Sequence, residues 1–365
     1  MTDIKYWIWF SSLVKINTRK RFELLEYYKD PAYLWYATEE ELKKAAMLDF
    51  TEIGHIRNKE FRSETQLYYD KLIAADVNIV TMQDRLYPGE LKHIYDPPSV
   101  LYVRGSLVKE ECRLAVVGSR RATLYGLETA ERLSADLSRH GVVIVSGMAR
   151  GIDSRAHNGA LAVDGRTIAV LGCGLDIVYP SENKELMKRI CKSGAVISEY
   201  LPGTPPAAFN FPARNRIISG ISQGVAVIEA NDKSGSLITA NYALEQGKEV
   251  FAVPGNIDSR NSTGTNKLIR DGAKIVLEPG DILDELKISR GVNNSFDIKA
   301  SKINFEVLDT DEKSIVRELA QGPAHIDTIA RTCSLSANST GAILVMLEMK
   351  GFVEQLPGKN YKLAR

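Results

Sequence analysis

Leu114-Ala-Val-Val-Gly-Ser-Arg-Arg121 decides the fold. Four consecutive apolar residues, not alternating ones, suit a parallel strand buried on both faces. The run stops at a glycine and passes into small and basic residues, as strands do where they end at a ligand-binding edge. The pattern recurs in Val142-Val-Ile-Val145, Thr167-Ile-Ala-Val-Leu171, Ala195-Val-Ile-Ser198, Val225-Ala-Val-Ile228, Val250-Phe-Ala-Val253 and Lys274-Ile-Val-Leu277. Stretches between them, such as residues 127–140 and 182–192, have helical spacing. Repeated strand–helix units predict an α/β fold, a Rossmann-like doubly wound and mostly parallel sheet over residues 73–287.

Outward from this centre the pattern changes. Residues 1–72 show no strand-like alternation and suit a small helical domain, with Thr38 as N-cap ahead of Glu39, Glu40 and Glu41. Residues 288–303 are polar and rich in Gly, Asn and Ser, as in a linker. In residues 304–365, three helical stretches (311–320, 326–332 and 336–350) precede a hairpin around Pro357-Gly-Lys-Asn360, the order of a winged-helix domain.

Composition bounds the function. The 365 residues include 47 Lys+Arg and 46 Asp+Glu, a net charge of +1, so a nucleic-acid site must be a local concentration of charge. No apolar run approaches the ~20 residues of a membrane span. The N-terminus lacks a basic segment followed by a cleavage site. The four cysteines form no C-x-x-C pair, so neither a zinc site nor a disulfide framework is expected. These features predict a reduced, cytoplasmic protein with no membrane partner, no metal and no cofactor.

Chemistry is expected beyond the C-terminal strand ends. Gly118-Ser-Arg-Arg121, Ser146-Gly-Met-Ala-Arg-Gly-Ile-Asp153, Gly172-Cys-Gly-Leu175 and Glu229-Ala-Asn-Asp-Lys-Ser-Gly-Ser236 all follow strands. Small residues expose backbone N–H groups, and helix N-termini add positive potential, so this rim suits phosphates. Gly118, Ser119, Arg120 and Arg121 carry the clearest signal, while Gly172 and Gly174 also suit ordinary tight turns. Phe209-Asn-Phe-Pro-Ala-Arg-Asn-Arg216 sets aromatic rings beside guanidiniums, the pattern of single-strand binders. Structural alternatives are Phe211 as a core staple and Arg214 paired with Glu199 or Glu229. His157 suits a structural hydrogen bond better than acid–base chemistry, and Asp153 suits a helix cap. Residues 113–230 hold 14 basic and 10 acidic residues, whereas residues 301–365 hold 8 of each. Within 336–350 only Lys350 is basic, which favours partner docking over duplex readout by the third tail helix.

The enzyme motifs are absent. There is no P-loop, no G-x-G-x-x-G after the first strand and no G-x-S-x-G elbow.

Together these segments, with Tyr87-Pro-Gly-Glu-Leu-Lys-His-Ile-Tyr-Asp-Pro-Pro98, Ser234-Gly-Ser-Leu-Ile-Thr-Ala240 and Val253-Pro-Gly255, resemble the DNA processing protein A (DprA) family. The resemblance implies a non-enzymatic protein that binds single-stranded DNA, protects it and loads the RecA recombinase onto it during natural transformation. It implies a DNA pocket holding Gly118, Ser119, Arg120, Arg121, Phe211, Arg214, Asn215, Arg216, Gly235 and Ser236. It also implies a homodimer through Asn266, Ile269 and Ile275, and a RecA-facing helix over residues 240–249 with Leu244 and Glu249. The flanking domains match the family's layout, a SAM or helix-hairpin-helix-like domain and a winged helix, although residues 1–72 lack a Gly-x-Gly hairpin. The alternative is an enzyme of the lysine-decarboxylase-like superfamily, a nucleotide phosphoribohydrolase. Those enzymes carry a Pro-Gly-Gly-x-Gly-Thr-x-x-Glu loop where this chain has Lys233-Ser-Gly-Ser-Leu-Ile-Thr239.

Overall fold

The computed structural model describes residues 3–44, 48–288, 308–319, 322–350, 352–356 and 358–363. Apart from Ile288, the linker expected over 288–303 lies outside the described residues. The chain divides into two compact units, residues 1–291 and 292–365.

The first unit is built on nine strands: β1 Asn78–Thr81, β2 Val100–Gly105, β3 Arg113–Val117, β4 Val143–Ser146, β5 Thr167–Leu171, β6 Ala195–Ser198, β7 Gly224–Val227, β8 Glu249–Ala252 and β9 Lys274–Ile275. Their order across the sheet is β1-β2-β6-β5-β4-β3-β7-β8-β9. From β6 to β9 every neighbouring pair is parallel, while β2 runs antiparallel to β6 and β1 to β2. All seven expected strands are present. β1 and β2 were not among them, and they add an antiparallel edge.

Alternate residues of each central strand feed opposite cores, as a pleated strand requires. Leu114, Val116, Ile144, Ala226 and Phe251 pack with Ala130, Leu133 and Leu137 of the Leu124–Arg139 helix and with Ala156 and Ala160 of the Ile152–Ala162 helix. Ala115, Val117, Val145, Val225 and Val227 belong to the other core, with Ile217 and Ile218 of the Asn210–Gly220 helix and Ala240 and Ala243 of the Gly235–Glu245 helix. Helices on both faces explain the unbroken apolar runs.

Among the described residues, six helices between Ile4 and Ala74 form the N-terminal zone. Thr38 and Glu41 form a reciprocal cap: Thr38 N donates to Glu41 Oε2 (2.7 Å), and Glu41 N donates to Thr38 Oγ1 (3.3 Å). Trp9, Phe10, Leu13, Leu24 and Leu34 make a local core. Trp7 and Ile8 join the sheet core instead, and the Ser11 and Tyr102 hydroxyls meet at 2.7 Å. The zone therefore packs on the sheet within one compact unit.

The second unit contains helices Thr310–Leu319, Ile326–Thr332 and Ala337–Met349 and strands β10 Ala324–His325, β11 Val353–Leu356 and β12 Asn360–Leu363, ordered β10-β12-β11. Ile315, Leu319, Ile329, Leu344, Leu347 and Val353 fill its core. This is a winged helix.

Candidate nucleic-acid interface

The chain winds from β3 to β6 in one direction, then crosses to place β7 on the other side of β3. Loops leaving β3 and β7 therefore diverge, and this switch point opens a crevice at the strand ends. A cavity of about 590 Å³ lies there, lined by Gly118–Arg121, Asp153, Tyr179, Phe211, Arg214, Asn215 and Ser234–Ser236, among others.

Helical geometry selects which residues of 211–216 enter it. At 100° per residue, positions three and four apart share a face and positions two apart are opposed. Phe211, Arg214 and Asn215 accordingly face the cavity, and Pro212 also belongs to its lining. Arg214 is buried. Its Nη1 donates to the carbonyls of Gly147 (2.9 Å) and Val170, and its Nε donates to Asn215 Oδ1 (3.2 Å). A Cβ at Gly147 would lie 2.5 Å from Arg214 Nη2, so a side chain there would displace the guanidinium. Burial pushes the Arg214 guanidinium down to about 10, with Asp153 opposing the shift and Arg120 adding to it; it stays charged at neutral pH.

Asp153 does not cap its helix in the expected way. Its Oδ2 accepts from the N–H groups of Gly147 (3.2 Å) and Ala149 (3.4 Å), in the loop ahead of the helix. Burial raises its pKa, and Arg214 and those two amides oppose the rise. The same loop holds Met148 at φ 54°, a left-handed conformation uncommon outside glycine.

Phe211 is the centre of a stack. The Tyr179 ring lies 5.3 Å away by centroid, and the Arg120 guanidinium sits 5.2 Å from the Phe211 centroid on the ring face. Arg120 and Arg121 are exposed, and among the described residues neither meets a carboxylate. Ser119 is buried: its N–H donates to the Glu229 carbonyl (2.7 Å), and its Oγ accepts from Arg121 N (3.1 Å). The Glu229 carboxylate is tied to Thr123 N (2.9 Å) and Thr123 Oγ1 (2.5 Å) at the start of the Leu124–Arg139 helix. On the opposite lip, Ser234 caps the Gly235–Glu245 helix, accepting from Ser236 N (3.4 Å), and Asn215 Nδ2 donates to the Gly235 carbonyl (3.3 Å). A helix N-terminus thus adds positive potential beside Gly235 and Ser236.

Arg216 does not belong to this cavity. It lies 200° around the helix from Arg214. Its Nε donates to Asp96 Oδ2 (2.9 Å), and Nη1 and Nη2 donate to the two oxygens of Glu199 (2.8 Å each), with the side chain 3% exposed. Burial opposes the charge, but the two carboxylates outweigh it and hold the guanidinium above its ordinary value. The Glu199 pairing considered for Arg214 is thus made by Arg216.

His157 is structural. Thr167 Oγ1 donates to the Ile144 carbonyl (2.7 Å), so it accepts from His157 Nδ1 (2.7 Å). Burial pushes the imidazole down to about 3, with Arg214 adding to the shift.

The remaining expected residues lie elsewhere. Asn266 bonds both N and O of Gly255 (3.1 and 3.0 Å). Ile269 is half-buried, and Ile275 is exposed on the edge strand β9 near exposed Leu277. Leu244 is exposed on the Gly235–Glu245 helix. Glu249 is not on that helix: the helix ends at Glu245, and Glu249 opens β8. Tyr179 was absent from the expected set. Its place after a parallel strand, ahead of Pro180, was the available signal.

A doubly wound sheet with arginines, small residues and stacked rings around its switch-point cavity defines a Rossmann-like protein. Residues 78–287 match the family described as DNA recombination-mediator protein A, and residues 306–359 match the DprA winged helix domain. The DNA processing protein DprA of Bacillus subtilis (strain 168) is 40% identical over 261 residues, 69% of this chain and 88% of that protein. Protein Smf of Escherichia coli (strain K12) is 38% identical over 298 residues, 79% of this chain and 78% of that protein. The X-ray structure of DprA from Streptococcus pneumoniae superposes with a TM-score of 0.64 at 37% identity, covering 78% of this chain and 99% of that chain. A structure of DNA processing protein A from Helicobacter pylori, described for its single-stranded DNA binding mode, gives a TM-score of 0.53 at 31% identity, covering 57% of this chain and 96% of that chain. The chain belongs to the DprA family of DNA-processing recombination mediators.

Proposed function

We propose that the switch-point cavity binds single-stranded DNA and that the protein delivers that strand to RecA. The observation that carries this reading is Arg120, exposed, without a carboxylate partner among the described residues and lying over the Phe211 ring. A base stacked on Phe211 and Tyr179 leaves its phosphate to the guanidiniums, and such stacking tolerates any base. Buried Arg214 holds the floor and supplies charge from below. The cavity's one lining carboxylate, Asp153, is engaged by Gly147 and Ala149, which argues for binding and against phosphoribohydrolase chemistry. The H. pylori relative, described for single-strand binding, supports the same reading. Two copies joining through the β9 edge would set two cavities on one strand, and Leu244 offers an exposed contact for RecA.

The test is a titration with single-stranded and duplex oligonucleotides of equal length at low and physiological salt. Single strands are expected to bind more tightly, with a log–log salt slope of about −0.7 per phosphate neutralised. Arg120→Ala should make that slope shallower by about one phosphate's contribution. Tighter duplex binding, or an unchanged slope in Arg120→Ala, would overturn the proposal. RecA assembly on the strand should accelerate with the wild-type chain and not with Arg120→Ala. Adenine release from AMP above a protein-free control would favour the enzyme instead.

A further inference from the structure

Arg120 and Arg121 have a second side. Beyond them lies an open groove of about 320 Å³, which they share with the main cavity. Arg150 and Arg155 line it, with Ser154, Glu182 and Asn183. The groove wall is fixed by Asn183, whose Nδ2 donates to the Met148 carbonyl and to Ser154 Oγ, both at 2.8 Å.

Arg150 forks onto Glu182 through Nε and through Nη2 (3.0 Å to Oε2), and Arg155 Nη1 donates to Glu131 Oε2 (2.8 Å). Neither pair is buried: the side chains are 63% and 49% exposed in the first and 47% and 40% in the second. Exposed pairs of this kind add little to stability, so neither holds the fold together. A guanidinium fork fits a phosphate as well as it fits a carboxylate, so exchanging one for the other needs little rearrangement. Among the described residues no aromatic side chain lines the groove, so it offers backbone contacts and no base stacking.

We infer that this groove carries the nucleotides flanking those in the main cavity, with Arg150 and Arg155 leaving Glu182 and Glu131 to bind successive backbone phosphates. The inference rests on single-strand binding in the main cavity. The strand would pass from a stacking site over the Arg120–Arg121 ridge onto a purely electrostatic track. The track would extend the footprint without adding sequence preference.

The experiment is a length series of oligothymidylate titrated against the full chain and against Arg150→Ala/Arg155→Ala. Both should bind the shortest effective oligonucleotide equally. On longer ones the double variant should lose most of the affinity gained by lengthening, and its salt slope should be shallower by about 1.4, two phosphates at roughly 0.7 each. Glu182→Gln, which removes the competing carboxylate, should tighten long oligonucleotides only. A double variant that matches wild type at every length overturns the groove while leaving the main cavity standing. Equal loss at all lengths, in a variant with normal thermal unfolding, also overturns it, because the arginines would then serve the main cavity. Wild type binding no oligonucleotide would instead remove the main-cavity reading and the groove with it.

Discussion

Arg214 and Arg216 are two positions apart and do opposite things. Arg214 ends at a cavity floor, held by carbonyls. Arg216 is locked between two carboxylates. Removing the Arg216 side chain leaves Glu199, 10% exposed, without its ion-pair partner, a situation that costs about 3–5 kcal/mol. Arg216→Ala should therefore lower the urea midpoint strongly. Arg120→Ala should leave the midpoint unchanged and weaken single-strand binding. Phe211→Ala should weaken it by about 1–3 kcal/mol per stacked base, read by fluorescence anisotropy. His157 adds a pH dependence. Its folded value of about 3 lies below the ordinary 6.5 of the unfolded chain. Below pH 6.5 the unfolded chain takes up a proton that the folded chain excludes. Stability is therefore full above 6.5 and falls as pH drops towards 3, by up to about 1.4 kcal/mol per pH unit. Urea titrations between pH 6.5 and 5 should show this slope, and His157→Gln should flatten it.

The Asn210–Gly220 helix is the element on which the cavity depends, and it is pinned at its far end. Lys248 Nζ donates to the carbonyls of Ser219 (2.7 Å), Gly220 (2.6 Å) and Ser222 (2.6 Å). A cation there also complements the helix dipole. Burial lowers the ammonium to about 8, with Glu90 opposing the shift, so it is mostly charged at neutral pH. Hydrogen bonds to charged groups contribute about 1.5–3 kcal/mol. Lys248→Met should lose a comparable amount of stability and speed amide exchange over residues 215–222, as mass spectrometry would detect. It should also weaken DNA binding, although Lys248 does not line the cavity. At this scale the parallel strands were legible in the sequence because burial on both faces leaves an unbroken apolar mark. Val100-Leu-Tyr-Val-Arg-Gly105 carries a similar mark but follows Pro97 and Pro98 outside the strand–helix rhythm, so its antiparallel pairing was not visible. The 211–216 cluster was legible as a concentration of rings and guanidiniums. Its division between two helix faces was not, because a string of residues shows composition before it shows the 100° step. The Asp96 partner, 120 residues away from Arg216, exists only in the fold.

At the scale of the whole molecule, the cavity proposed for DNA and the winged helix belong to separate compact units. In the second unit Lys350, the one basic residue of 336–350, is paired with buried Glu312. A chain ending at residue 291 should therefore retain most single-strand affinity, and loss of that affinity in a folded product would move the tail into the primary site. The β9 edge exposes Ile275 (46%) and Leu277 (73%), apolar side chains that a partner copy would cover. Ile275→Glu should yield a folded monomer by light scattering that binds short oligonucleotides normally and long ones less tightly. A variant that stays dimeric places the interface elsewhere. The most direct measurement of what the switch-point cavity holds is photocrosslinking of an iodouracil-substituted single strand to the full chain, with the adduct mapped by mass spectrometry. The expected adducts fall on Tyr179 and Phe211 and disappear in competition with unlabelled single strand. Adducts confined to residues 308–363, or spread over the surface with none on these two rings, would contradict the assignment.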